Sequence, residues 1–266
     1  MYSSHPGVLR TVPPELIKRR PPTWARPALS VLGLVVGVVV VVPPLSASAH
    51  RYDWAEALQF MVLALVAPGL VVAGAPWDLL GLGPVVEKLA AARKRHHERV
   101  RTAAVAVPAL ACMVAWRTPA AVNALKPGGW LLALEAVSLE LSGAALWLEC
   151  ISSGALVPRG PRPQRIAVAA VSMWTIWVLA YLLAMSGAGW YSSYLHIPGH
   201  GISQAIDQQA ASGLMWAVAT ACFVPLIFWQ LAQWLHADED ADHELHRVVR
   251  EERRRALSPA RPADRP

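Results

Sequence analysis

Apolar and polar residues follow one another in blocks along this chain, and six apolar blocks are long enough to cross a membrane as helices. The predicted spans cover residues 27–49, 55–75, 100–116, 129–151, 166–187 and 210–235. A helix needs roughly 20 apolar residues to cross the hydrocarbon core of a bilayer. The pattern therefore predicts an all-α, polytopic transmembrane helix bundle, with a basic disordered tail at 1–26 and a charged tail at 237–266.

The first apolar block allows a second interpretation. A basic flank, a run of about fifteen apolar residues and the sequence Ala47-Ser48-Ala49 are also typical of a signal peptide with its cleavage site. The basic segment that precedes the run is unusually long for a signal peptide, which favours a retained span. The five later spans are predicted under both interpretations.

The composition supports the membrane class. The chain is 55% hydrophobic and 16% charged, with a mean hydropathy of +0.37, which is too apolar for a soluble globular protein of this size. Its 12 Trp residues suit the two membrane interfaces. The three Cys residues lie far apart in apolar runs, so neither a disulfide framework nor a zinc knuckle is indicated.

The basic residues predict the orientation of the bundle. If both termini are cytoplasmic, 21 of the 24 Lys and Arg residues lie on the cytoplasmic side, and only Arg51, Arg117 and Lys126 lie outside. This bias follows the positive-inside rule. The net charge of +6 therefore reflects orientation and contact with anionic lipid, and nucleic acid is not a predicted partner.

Polar residues gather near the predicted outer ends of the spans. Such groups usually face a partner, an ion or a cavity, because the hydrocarbon beyond them offers no hydrogen bonds. The candidate functional cluster on the outer face consists of Glu56, Gln59, Arg117, Glu135, Asp207, Gln208, Gln209, Met215 and Trp216. A functional site, if the chain has one, is thus expected to face outward.

Several of these residues have two interpretations. Asp207 either caps the start of the sixth span, where a carboxylate accepts backbone N–H groups, or contacts a partner. Glu135 is either functional or the structural partner of Arg117 or Lys126. Glu140 lies five positions later, about 140° around the helix, so the two glutamates do not share a face. At mid-membrane, Glu140 can be protonated and hydrogen-bonded between helices.

Two histidines are further candidates for metal binding. His196 and His200 are four positions apart, but Pro198-Gly199 between them breaks a helix. They are either surface loop histidines or, if a turn brings the imidazoles together, an alternative metal site. The sequence has no Ser-His-Asp ordering, no phosphate loop and no Cys-x-x-Cys-His, so an enzyme is not predicted.

Four elements of the sequence form a recognisable set. They are Ala67-Pro68 through Gly74-Ala75-Pro76, Trp116-Arg117-Thr118-Pro119, Trp190-Tyr191-Ser-Ser-Tyr194, and Asp207-Gln208-Gln209 through Gly213-Leu-Met215-Trp216. Over residues 50–235 the chain thereby resembles the polytopic CtaG-type cytochrome c oxidase assembly proteins. The resemblance implies a bacterial plasma-membrane protein that helps to mature a heme-copper oxidase. It also implies copper as the candidate cofactor, delivered on the outer side, with oxidase subunits or copper chaperones as partners.

The chain departs from that family at the residues that would bind copper. Family members usually carry a His-Met-x-x-His pair, a Trp-His-x-Pro and further His on the fourth span. The corresponding residues here are Glu56 and Phe60, Arg117, and Leu132 and Ala136. Copper prefers imidazole, thiolate and thioether ligands, so an ion pair of Arg117 with Glu56 and Glu135 is predicted instead. The alternative functions are therefore a small-solute or ion transporter, or a structural subunit of a membrane complex that has lost the metal role.

Overall fold

The computed structural model describes residues 24–77, 80–94, 99–126, 128–187, 189–195, 197 and 201–257. The helices are α1 (Ala25–Val41), α2 (Leu45–Ala49), α3 (Asp53–Met61), α4 (Ala67–Gly74), α5 (Gly83–Lys94), α6 (Arg99–Trp116), α7 (Pro119–Ala124), α8 (Trp130–Cys150), α9 (Arg162–Met185) and α10 (Gln204–Leu257). A π-turn (Val62–Val66) joins α3 to α4, and a 3-10 turn (Ser192–Tyr194) precedes α10. No β-strand occurs in these ranges, and the prediction of an all-α membrane bundle is confirmed.

Within the described part of the chain, four helical segments are long and apolar enough to cross a membrane. They are Asp53–Gly74, Trp130–Cys150, Arg162–Met185 and Gln204–His236. Two shorter apolar helices, Ala25–Val41 and Thr102–Trp116, accompany them. These six segments overlap the six predicted spans.

The second span, α3 and α4, is the central helix of the bundle. About 72% of the most apolar stretch of this span is buried inside the protein, against 28–33% for the other three long spans. Pro68 has no N–H to continue the helical ladder, and the backbone widens into the π-turn just before it. The indole of Trp147 on α8 donates to the carbonyl of Leu65 at 2.8 Å. A neighbouring helix thus satisfies a backbone carbonyl of the widened turn inside the membrane.

Helix α1 packs on α4 through small residues. Its buried positions are Ser30, Gly33, Gly37 and Val40, which include a Gly-x-x-x-Gly spacing. Such a stripe lets two backbones approach closely, which is how apolar helices gain contact in lipid. The approach is close at Gly33, where an added Cβ would lie 2.7 Å from the carbonyl oxygen of Ala67.

Replacing Gly33 by alanine is therefore expected to destabilise the protein by about 1–3 kcal/mol, because the new methyl group overpacks the α1–α4 contact. The matched control is Gly213→Ala in α10, where a Cβ meets nothing within 4 Å. That change should be neutral or stabilising by up to about 1 kcal/mol, since alanine favours a helix more than glycine does. Thermal unfolding in detergent, followed by circular dichroism, compares the two. Equal stability of the two variants would contradict the close packing of α1.

The last helix extends beyond the predicted span at both ends. The predicted span covers residues 210–235, whereas α10 begins at Gln204 and continues without interruption to Leu257. Much of the predicted charged tail is therefore helical. Residues 258–266, like residues 1–23, lie outside the described ranges.

The bundle end opposite Arg117 has its own buried ion pair, which the sequence reasoning did not select. Glu149, fully buried near the end of α8, accepts from Arg159 at 2.6 Å and lies 3.7 Å from Arg93 of α5. Burial lowers the pKa of the Arg93 guanidinium, with Arg159 adding to the effect. The contact fixes the amphipathic helix α5 to the membrane-spanning core.

Candidate functional site

Arg117 is at the centre of a buried polar cluster at one end of the bundle. It directly follows α6, which ends there because Thr118 and Pro119 start α7: Thr118 accepts from the Ala121 N–H and Pro119 sits at the first helical turn. The Arg117 side chain is 1% exposed. A guanidinium so deeply buried requires charged or hydrogen-bonding partners from neighbouring helices.

Those partners come mainly from the first turn of α3. Arg117 donates to Glu56 and lies 3.6 Å from the carboxylate of Asp53. Asp53 and Glu56 are three residues apart, which places both on one helix face. The rings of Phe60 and Tyr191 lie 5.4 Å and 5.1 Å from the guanidinium carbon, within cation–π range.

Asp207 caps the N-terminus of another helix, α3. Its two carboxylate oxygens accept the backbone N–H groups of Asp53 at 2.9 Å and Trp54 at 3.0 Å. These are the first N–H groups of α3, which have no partner within that helix. The sequence predicts a cap of the span that carries Asp207; these two hydrogen bonds instead join α10 to α3, because α10 starts at Gln204 and places Asp207 within its first turn. The carboxylate also lies at the positive end of the α3 dipole.

Gln208 performs the corresponding role at the end of α9. Its carboxamide nitrogen donates to the carbonyls of Leu183 at 2.6 Å and Ser186 at 2.7 Å, which are at the C-terminus of that helix. Its oxygen accepts from the Trp190 N–H at 3.0 Å. Consecutive residues of α10 thus hold the ends of two other spans.

The remaining residues of this element have different environments. Gln209 is exposed and lines a surface cavity of about 520 Å³ together with Gln208 and Gln204. Met215 is fully buried in the apolar core. Trp216 is 51% exposed and stacks on Trp177 of α9, with ring centroids 5.4 Å apart. Only the first two polar residues of Asp207-Gln208-Gln209 are therefore used in packing the bundle.

The loop after α9 closes over the Arg117 cluster. The hydroxyl of Tyr191 donates to the Arg117 carbonyl at 3.0 Å, and that of Tyr194 donates to the Ala49 carbonyl at 2.8 Å. Burial raises the pKa of both phenols, so they stay protonated and act as donors. Both rings are buried, so they belong to the protein interior at this end of the bundle.

A polar cavity of about 180 Å³ lies beside the cluster. Glu56 and Gln59 of α3 and Glu135 of α8 line it, together with His50 from the loop before α3. Each of the two glutamates is at most 5% exposed. Glu135 thus joins the cluster through the cavity, and among the described residues it forms no ion pair with Arg117 or Lys126.

The candidate residues predicted from the sequence do not all lie together. The structure brings Glu56, Gln59, Arg117, Glu135 and Asp207 together at one end of the bundle. Glu140 lies elsewhere, facing Gly37 of α1, as its angular separation from Glu135 predicts. His196 and His200 lie outside the described residues. The sequence reasoning did not select Tyr191 and His50 for this cluster, because their partners are distant in the chain.

The donor set of the cluster does not fit copper. It offers carboxylates, one carboxamide and a guanidinium, whereas copper prefers imidazole, thiolate and thioether. His50 is the single imidazole on the neighbouring cavity. In the part of the chain that the structure describes, no three His, Cys, Asp or Glu side chains are grouped to hold a metal ion. An arginine paired with two carboxylates occupies the centre instead.

Comparison with known proteins agrees with the resemblance seen in the sequence. The family model of the cytochrome c oxidase caa3 assembly factor (Caa3_CtaG) matches residues 9–237. The match includes all six apolar helices and the whole Arg117 cluster. No curated protein and no solved structure matches the chain.

Proposed function

Because the chain belongs to the cytochrome c oxidase caa3 assembly factor family, we propose that it is a non-enzymatic factor for the assembly and maturation of a heme-copper oxidase in a bacterial plasma membrane. The family match over residues 9–237 is the observation that carries this proposal. The proposed partners are subunits of that oxidase. The Arg117 end is proposed to face outward, on the strength of the bias of Lys and Arg towards the other side.

Within that function, we propose that this chain holds an oxidase intermediate and does not itself carry copper in the Arg117 cluster. The absence of suitable donors in the cluster supports this division of roles. Copper would then be a cargo of separate copper chaperones, which deliver it to the oxidase while the assembly factor is bound. The purified chain is accordingly expected to contain far less than one copper per molecule.

Deletion of the gene tests the assembly function. The deletion strain is expected to lose most of its assembled caa3-type oxidase, seen by native electrophoresis and heme absorption spectra, and the wild-type gene should restore it. Added copper should not rescue the deletion strain, because a holding function is not replaced by free metal. Normal oxidase activity and normal heme spectra in the deletion strain under limiting copper would contradict the assembly function. Rescue by copper alone would contradict the holding role.

Affinity purification from mild detergent separates this proposal from the transporter or structural-subunit alternative. Mass spectrometry should find oxidase subunits with the purified chain, and elemental analysis measures copper in the same sample. Co-purification with an unrelated complex, without oxidase subunits, would favour the alternative.

A further inference from the structure

The cavity beside the Arg117 cluster contains buried polar atoms that the described residues leave without a partner. The Oε1 atom of Glu56 and the Nε2 atom of Gln59 are buried and have no hydrogen-bond partner. Both residues are more than nine-tenths buried and both line the cavity, with Glu135 opposite them on α8. Buried polar groups are normally satisfied, so the free acceptor of Glu56 indicates a hydrogen-bond donor in the cavity, while the N–H of Gln59, itself a donor, is left for a water.

The acceptor atoms around the cavity favour a ligand that donates hydrogen bonds. Arg117 bonds the Oε2 atom of Glu56 and also faces Asp53, which leaves the Oε1 atom of Glu56 free to accept. The carboxyl group of Glu135 has no hydrogen bond or ion pair among the described residues. Two carboxyl groups therefore present acceptors to a space that a cation can enter.

The walls of the cavity favour an organic cation over a metal ion. Part of the lining is apolar and consists of Val122, Leu125 and Leu132. Such a surface packs against an alkyl chain but offers no ligand atoms to a metal ion. The described residues also lack a group of three metal ligands. A volume of about 180 Å³ corresponds to roughly six waters at about 30 Å³ each, which is room for a short alkylamine.

The geometry of acceptors suits a group with several N–H donors. An ammonium has three, and Glu56, Glu135 and His50 surround the cavity from α3, α8 and the loop before α3. Burial lowers the pKa of His50, against an opposing effect of Glu56, so its imidazole is neutral at pH 7 and can accept a hydrogen bond. A quaternary ammonium, which has no N–H, could not use these acceptors.

We propose that this cavity binds a primary ammonium group on a short alkyl chain, as carried by a free alkylamine or by a lysine side chain of a partner protein. Ser193 lines the cavity and is exposed to solvent. The cavity therefore opens at the Arg117 end of the bundle. This proposal does not depend on the assembly function, and the binding experiment tests it independently.

The test uses the full chain in lipid nanodiscs and isothermal titration calorimetry. The probes are n-butylammonium, a short peptide with one lysine, and the same peptide with that lysine acetylated. Saturable binding of the first two, and none of the acetylated peptide, is the expected result. Binding of the lysine peptide alone would assign the site to a partner protein, and binding of n-butylammonium alone would assign it to a free amine.

Two variants test whether the ligand binds in this cavity. Glu135→Gln is expected to weaken it at least tenfold, and Leu132→Phe should do the same by filling the cavity while keeping both carboxyl groups. The matched control is Glu140→Gln on the same helix, which faces α1 and should leave the affinity within twofold. Thermal unfolding establishes that all three variants are folded.

Three results would overturn the proposal. The first is the absence of saturable binding by both amine probes. The second is binding of tetramethylammonium or Mg²⁺ as tight as that of n-butylammonium, since neither donates N–H bonds. The third is an equal loss of affinity in Glu135→Gln and Glu140→Gln.

Discussion

Replacing Arg117 by leucine is expected to destabilise the protein by about 3–5 kcal/mol, because it leaves the carboxylates of Asp53 and Glu56 buried without their cation. The rings of Phe60 and Tyr191 would also lose their contact with the guanidinium. The free energy of unfolding in detergent, or the temperature of thermal unfolding followed by tryptophan fluorescence, measures the loss.

The matched control removes a positive charge from the same end of the chain. Lys126 is exposed, so Lys126→Leu should change the free energy of unfolding by no more than about 0.5 kcal/mol. A double variant, Arg117→Met with Glu56→Met, removes the ion pair as a unit and is expected to recover part of the stability, since apolar residues of similar size often replace a buried pair at little cost. Equal stability of Arg117→Leu and Lys126→Leu would contradict the burial of Arg117 against the two carboxylates.

Replacing Asp207 by alanine should destabilise the protein by about 2–4 kcal/mol. The change leaves one buried and one partly buried N–H group at the start of α3 without their acceptor, and hydrogen bonds to charged groups each contribute about 1.5–3 kcal/mol. Hydrogen exchange should show the added opening at residues 53 and 54, far along the chain from the substitution. Thermal unfolding gives its total cost.

Two neighbouring variants test whether the effect belongs to the cap. Asp207→Asn keeps one acceptor and should lose only about half as much stability. Gln209→Ala changes an exposed residue of the same helical turn and should lie within about 0.5 kcal/mol of the wild type. Faster exchange at the start of α10 but not at the start of α3 would mean that Asp207 caps its own helix.

The architecture of the bundle is largely predictable from the sequence, since it depends on the lengths of apolar runs. The overlap of the six apolar helices with the predicted spans follows from that physical requirement. The ion pair of Glu56 with Arg117 is predictable for a similar reason: a charge in an apolar region needs an opposite charge nearby. Which of two glutamates forms the pair depends on the rotation of each helix, and the structure selects Glu56 while Glu135 faces the cavity.

The partner of Asp207 could not be predicted in the same way. A carboxylate near the start of a helix predicts a cap of that same helix. The local sequence is identical whether the carboxylate caps α10 or α3. Only the three-dimensional packing distinguishes the two, since the hydrogen bond to Asp53 spans 154 residues. The hydrogen bonds of Tyr191 and Tyr194 could not be predicted for the same reason, because their acceptors on Arg117 and Ala49 are also distant in sequence.

The separation of Asp53 and Asp207 in the chain also delays the capping of α3 during biosynthesis. Ribosomes add about 5–20 residues per second, so roughly 8–30 s pass between the synthesis of Asp53 and that of Asp207. During this interval the α3 N-terminus has no cap from Asp207, and only the arrival of the last span completes it. A nascent or truncated chain without α10 therefore leaves the first N–H groups of α3 without the carboxylate of Asp207.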